Sequence, residues 1–366
     1  MSTNDHYASL VEKLGYGGSD RLAAVLKALM TPDQAIMADA LPGTAADVAE
    51  ITGFDAEDIQ KNLDELFFKG VVFARGDFVT REYFRFARGM GQLHDATLAT
   101  CKLDVVKDAE YFKLWQDFCL NEWYPEYGKQ KVAQERPVFR VVPAYKAFEN
   151  MDGVLPCEDY RELIKAQEVF GTVPCSCRMR TAGVGEPCGH TDEEKDWTCL
   201  QFGRGADYID KRGSGRKLTL EEALEVVDVI EENALIHIWR NSTVMGGART
   251  SCNCCRDCCA DYVPMDMFDL PLAKSWEKSR WEAVIDQDKC DGCQDCIERC
   301  HFDAIELVKP EKPAKGKKAK KMKAVVEPEK CWGCGVCVPG CKEAKAIGFK
   351  VVRPEEFIPQ ASVPAH

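Results

Sequence analysis

The first apolar pattern along the chain has helical spacing. In "SDRLAAVLKALM", Leu22, Val25, Leu26 and Leu29 fall on one face behind Ser19, a residue type that caps helix N-termini. "GTAADVAEITGF" predicts a second short helix capped by Thr44. "DAEDIQKNLDELFFKG" predicts a third, with Asp55 as cap, Ile59, Leu63, Leu66 and Phe67 inward, and Gly70 as terminator. "VVFARG" and "DFVTRE" then read as two strands joined by a Gly-Asp turn. Further on, "VFRVVP", "EVFGTVP" and "ALIHIW" predict short apolar strands. Between the last two, "TLEEALEVVDVIEEN" opens with a capping box of Thr219 and Glu222 and places Leu220, Leu224, Val227 and Ile230 on one face. Together these patterns predict an α+β, multidomain chain.

The helix–helix–helix–hairpin order of residues 19–82 resembles a winged helix-turn-helix. Such a resemblance implies DNA binding, but the candidate recognition helix carries Asp55, Glu57, Asp58, Asp64 and Glu65 against Lys61 and Lys69. That charge would repel phosphates, so docking to protein is expected and nucleic-acid binding is not.

A chain of 366 residues exceeds what one hydrophobic core usually serves, and its net charge of −12 disfavours anionic polymers and membranes. Apolar runs stay far short of a bilayer span, and the start "MSTNDHYASLVEKLGYGG" lacks the basic and apolar regions of a signal peptide. A cytoplasmic location is therefore expected. In a reducing compartment the 20 cysteines serve metals or chemistry rather than disulfides. Their distribution divides the chain into a winged-helix-like domain (1–87), a cysteine-rich α/β domain (88–263) and a C-terminal domain (264–366).

That last domain holds two runs of C-x2-C-x2-C-x3-C: Cys290, Cys293, Cys296, Cys300 and Cys331, Cys334, Cys337, Cys341. Short turns of this kind wrap three thiolates around one face of an iron–sulfur cube, with Gly292, Gly333 and Gly335 easing the turns. The segment resembles the bacterial-type ferredoxin domain with two [4Fe–4S] clusters. This resemblance implies one cluster on Cys290, Cys293, Cys296 and Cys341 and another on Cys331, Cys334, Cys337 and Cys300. Proline commonly follows the fourth cysteine in that family, whereas His301 and Lys342 stand here. Between the runs, residues 309–325 form a lysine-rich insertion suited either to solubilising the chain as a solvated loop or to steering an acidic redox partner.

Nine more cysteines are candidate metal ligands: Cys175, Cys177, Cys188 and Cys199, then Cys252, Cys254, Cys255, Cys258 and Cys259 in "CNCCRDCC". An extended Cys-x-Cys at the end of a strand would direct Cys175 and Cys177 to one side. Arg178 and Arg180 could offset thiolate charge there, and His190 is a weaker candidate ligand. Adjacent cysteines crowd one cluster face, so one of each pair is expected to serve a different metal or none. One or two further [4Fe–4S] clusters are expected, with structural zinc as the alternative. Cys101, Cys119 and Cys157 lack spacing partners and are assigned to packing.

"PCSCR" and "CNCCRDCC" ahead of the dicluster segment resemble a group of multi-cluster iron–sulfur proteins of anaerobic bacteria. That implies electron transfer; redox protein partners, such as a flavoprotein or an oxidoreductase complex, are expected, with the chain as a complex subunit or homo-oligomer. No flavin or nicotinamide motif is present in the sequence. An oxidoreductase with its active metal site in the central cysteine region, and a redox-sensing regulator, are the alternatives. No catalytic residue can be named.

Overall fold

The computed structural model describes residues 3–149, 151–191, 197–309 and 322–358. Helix and strand are mixed, at 41% and 16% of the described residues. Two compact units account for it: Met1–Tyr127 with Gly171–Trp197 and Arg204–Lys217, and Gly128–Phe170 with Thr198–Gly203 and Leu218–His366.

In the first unit the caps act as their residue types dictate. Ser19 accepts from the Leu22 amide, and helix Asp20–Leu29 buries Leu22, Val25, Leu26 and Leu29. Thr44 and Asp47 form a capping box on Ala45–Thr52. Asp55 caps Ala56–Lys69, which buries Ile59, Leu63, Leu66 and Phe67 and ends at Gly70 with φ 87°. Among the helices beyond those predicted is Pro32–Asp39, whose Thr31–Gln34 capping box and N-terminal proline are its own start signals.

The hairpin is corrected at its second strand. Val72–Arg75 is extended, but "DFVTRE" forms a turn and the partner strand is Tyr83–Phe86. Asp77 accepts from the Val79 amide, and Arg81 takes φ 48°, so the chain cannot run straight there. Alternation in "YFRF", which buries Phe84 and Phe86, was the better strand signal. Gly43–Thr44 adds a short edge, giving the order Gly43–Thr44, Tyr83–Phe86, Val72–Arg75.

In the second unit, strands lie in the order Trp276–Glu277, Phe139–Val142, Ile236–Arg240, Thr250–Cys254, Cys199–Phe202. The first pairing is parallel and the others are antiparallel. Helix Leu220–Glu232 keeps its Thr219–Glu222 capping box but buries Ala223, Val226, Val227, Ile230 and Glu231. Leu220 is exposed, so the buried stripe is rotated from the one the apolar spacing suggested. The rotation serves Glu231, which accepts from the Tyr145 and Lys146 amides and faces His237.

Strands Trp281–Ile285 and Ile347–Val351 pair, as do Ile305–Val308 and Lys323–Val326, bracketing the two cysteine runs. The lysine-rich insertion between the latter two lies, from residue 310 to 321, outside the described residues. One continuous apolar core joins Val141, Ile236, Ile238 and Trp276 of the sheet to Trp281, Phe302, Trp332 and Phe349. Residues far apart in sequence pin this junction. The Arg280 guanidinium donates to both Glu158 carboxylate oxygens at 2.7 Å, and Trp281 Nε1 donates to Glu158 Oε1 at 2.9 Å.

Candidate metal centres

The two cysteine runs bend through equivalent backbone angles. Gly292 and Gln294 have φ of 78° and 83°, and Gly333 and Gly335 have 66° and 76°. Left-handed residues at these positions curl the chain around a common point, placing neighbouring cysteines on its inner side. Close approach reinforces the requirement. A Cβ on Gly333 would lie 2.1 Å from Ser279 Oγ and Trp281 O.

These turns bring sulfurs together across the repeats. Cys290, Cys293, Cys296 and Cys341 line one cavity, with Ile285, Ala324, Ala346 and Ile347 among its apolar walls. Burial, then the thiolates of Cys293, Cys341 and Cys290, pushes the Cys296 thiol up to about 11. The second group interlaces with the first. Burial raises Cys334, with Cys300 and Cys331 adding repulsion. Cys337 is raised well above its usual value by burial and then by Cys334, Cys331, Cys300 and Cys296. Cys290, Cys296, Cys331, Cys334 and Cys337 are buried, Cys300 and Cys341 partly so, and Cys293 is exposed; clustered thiols that repel one another fit a cation-rich group, because metal charge offsets what desolvation and repulsion oppose.

Amides also point at the sulfurs. Ala346 donates to Cys341 Sγ at 3.2 Å, Ala304 to Cys300 Sγ at 3.4 Å and Ala324 to Cys290 Sγ at 3.5 Å. Such donors favour the anionic thiolate and tune a cluster's potential. Arg299 brings positive charge near Cys337 and Cys334, its guanidinium held by the carbonyls of Val336 at 2.6 Å, Glu232 at 2.9 Å and Glu231.

His301, standing where proline is common, is 3% exposed and fully engaged. The Arg256 amide donates to Nδ1 at 3.3 Å, Nε2 meets Ala234 O at 2.7 Å, and Tyr262 donates to the His301 carbonyl at 2.7 Å. The Arg256 guanidinium pairs with Asp303 at 2.7 Å. The "CNCCRDCC" loop is thereby tied to the chain beside Cys300. Proline would supply neither ring nitrogen.

The nine central cysteines separate by element. Cys175 is the N-cap of helix Ser176–Gly183, so Cys177 is helical. The extended Cys-x-Cys expected there is corrected: the strand ends at Val173, before Pro174. Arg178 and Arg180 are both 1% exposed, and Arg180 donates to Tyr124 Oη at 2.5 Å and to Gln116 Oε1. In the same unit, Cys188 is buried and His190 partly exposed.

Strand alternation does operate at Thr250–Cys254. Ser251 and Asn253 turn to one face, where Ser251 Oγ meets Tyr160 Oη at 2.8 Å and Asn253 Oδ1 meets His237 Nδ1 at 2.7 Å. Cys252 and Cys254 take the other face. The chain then folds back, placing Cys259 Sγ 3.2 Å from Cys254 Sγ and Cys255 Sγ 3.7 Å from Cys258 Sγ. Adjacent cysteines thus enter different sulfur pairs. Cys254 is raised well above its usual value, through hydrogen bonds with Cys252 and Cys259 and then burial. Cys199 begins its strand and accepts from Gln201 Nε2 at 3.2 Å.

Cys119 is packed as expected, burial pushing its thiol up to about 11 against the pull of Arg180. Cys157 is partly exposed, and Cys101 is exposed with its sulfur 3.6 Å from Gly213 O, so the packing role assigned to it is corrected. The sequence marks His301 only as a departure from proline, and it flags neither Gln201, which donates to Cys199, nor Glu158, which pins the junction, because their partners are set by tertiary packing.

Residues 289–344, which span both cysteine runs, match the family described as 4Fe-4S dicluster domain. No curated protein and no solved structure matches the chain. Among the described residues, no helix is long and apolar enough to cross a membrane.

Proposed function

We propose that this iron–sulfur protein carries electrons between redox proteins. Its core pair of [4Fe–4S] clusters would be held by Cys290, Cys293, Cys296 and Cys341, and by Cys331, Cys334, Cys337 and Cys300. The carrying observation is the interlacing: Cys341 lines the cavity of the first run, while Cys300 repels the thiolates of the second. Clusters bound by these cysteines would supply one-electron transfer.

The chain's own residues then set how readily that happens. Ile285, Ala324, Ala346 and Ile347 wall the first group with apolar surface, Arg299 favours added negative charge near the second, and amides of Ala304, Ala324 and Ala346 brace the sulfurs. The helical start and hairpin of residues 19–86 support a protein-docking, winged-helix-like module. A flavoprotein or oxidoreductase complex is the partner class we propose, and the chain's place is that of a subunit in a cytoplasmic, anaerobic system.

Anaerobic purification of the full chain tests this reading. Reduction by a co-purified flavoprotein, followed by re-oxidation through a second protein, is the expected behaviour. Turnover of a small molecule by the isolated chain would favour a catalytic role instead.

A further inference from the structure

We infer that Cys199, Cys252, Cys254 and Cys259 form one metal site, the ligand set of a third [4Fe–4S] cluster. This inference rests on the iron–sulfur reading above and deepens it, by moving Cys199 away from the helix-borne cysteines it neighbours in sequence.

Register supplies the argument. Strands Cys199–Phe202 and Thr250–Cys254 pair antiparallel with Leu200 opposite Ser251 and Gln201 opposite Thr250. Extending that register by one step sets Cys199 opposite Cys252, and Asn253 Nδ2 donates to Thr198 O at 2.6 Å, which keeps the two chains adjacent there. Directly opposed residues of an antiparallel pair share a face, with Cβ atoms about 4.5–5.5 Å apart. Cys254, two residues beyond Cys252, lies on that face as well. Cys259 completes the group from the returning loop, its sulfur 3.2 Å from that of Cys254. Four thiols from two strands and one loop therefore converge on one side of the sheet.

Two observations suit this set to anionic sulfur and to redox use. N–H donors reach its outer members, Gln201 Nε2 to Cys199 Sγ at 3.2 Å and the Asp261 amide to Cys259 Sγ at 3.4 Å. Cys254 and Cys259 also belong to the same continuous core as Cys290, Cys296, Cys331, Cys334 and Cys337. Soft thiolate sets of this kind select iron–sulfur clusters or zinc. Contiguity with two electron-carrying quartets selects the cluster. Ligation of iron and sulfide would release the thiol protons, and each redox event would pass one electron to or from a neighbouring cluster or one of the redox proteins proposed above.

The test uses anaerobically prepared full-length holoprotein and the variants Cys199→Ala, Cys254→Ala and the double variant. Iron, sulfide and zinc are counted, and electron paramagnetic resonance of the dicluster segment serves as the fold control. Each single variant is expected to lose one cluster's worth of iron with the dicluster signals intact, and the double variant is expected to lose no more than either single one. Unchanged iron in Cys199→Ala, additive losses, or zinc in place of iron would overturn the site while leaving the electron-transfer reading in place. Absence of dicluster signals from the unmodified protein would instead overturn that reading. Should an alanine variant fail the fold control, Cys199→Val, which suits a strand and offers no ligand, replaces it, and normal iron in that folded protein counts against the site.

Discussion

Single residues show how local chemistry and distant partners divide the work. Gln294 holds φ 83° at the position where the second repeat has Gly335, a strain of about 1–2 kcal/mol for a side-chain-bearing residue. Gln294→Gly should therefore raise the unfolding midpoint slightly at full iron content. Gly335→Ala should do the reverse and lower iron content, since its Cβ would lie 2.8 Å from Ala147 Cβ. Thermal unfolding and iron analysis of the two variants check both directions. Glu158 illustrates the distant case. Its carboxylate is 5% exposed and pairs with an equally buried Arg280, so Glu158→Ala leaves a guanidinium uncompensated. A loss of about 3–5 kcal/mol is expected in denaturant unfolding of the anaerobic protein. Glycines and cysteine spacings of the dicluster segment were legible because their chemistry is local. The Glu158–Arg280 pair spans 122 positions, and nothing in either neighbourhood announces it.

At the scale of elements, caps and apolar faces carried most of the sequence signal. Ser19, Thr44, Asp55 and Thr219 all cap the helices they announce. Strand placement was weaker, because short apolar runs do not show where a turn intrudes: Asp77 and Arg81 turn "DFVTRE" aside, and Pro174 delivers Cys175 to a helix start rather than a strand end. Helix Ala56–Lys69 presents Glu57, Asp58 and Glu65 on its exposed side, while Asp64 is paired with Arg81 at 2.6 Å. The full chain should consequently show no salt-dependent affinity for duplex DNA in a titration over rising ionic strength. Binding that weakens by orders of magnitude with salt would reverse the assignment of this element.

Across the whole molecule, cysteine density tells where ligands lie but not which segments share a core. The dicluster segment packs into the unit that also holds Gly128–Phe170, Thr198–Gly203 and the strand of Cys252 and Cys254, an arrangement that only tertiary structure reveals. The central claim is that its two quartets are interlaced and hold two separate [4Fe–4S] clusters. Electron paramagnetic resonance of dithionite-reduced, anaerobic holoprotein tests it most directly, applied to Cys290→Ala, Cys300→Ala, Cys331→Ala and Cys341→Ala. Cys300→Ala should lose the same signal as Cys331→Ala, and Cys341→Ala the same signal as Cys290→Ala. If Cys300→Ala instead matched Cys290→Ala, each run would hold its own cluster, and the interlaced account would be wrong.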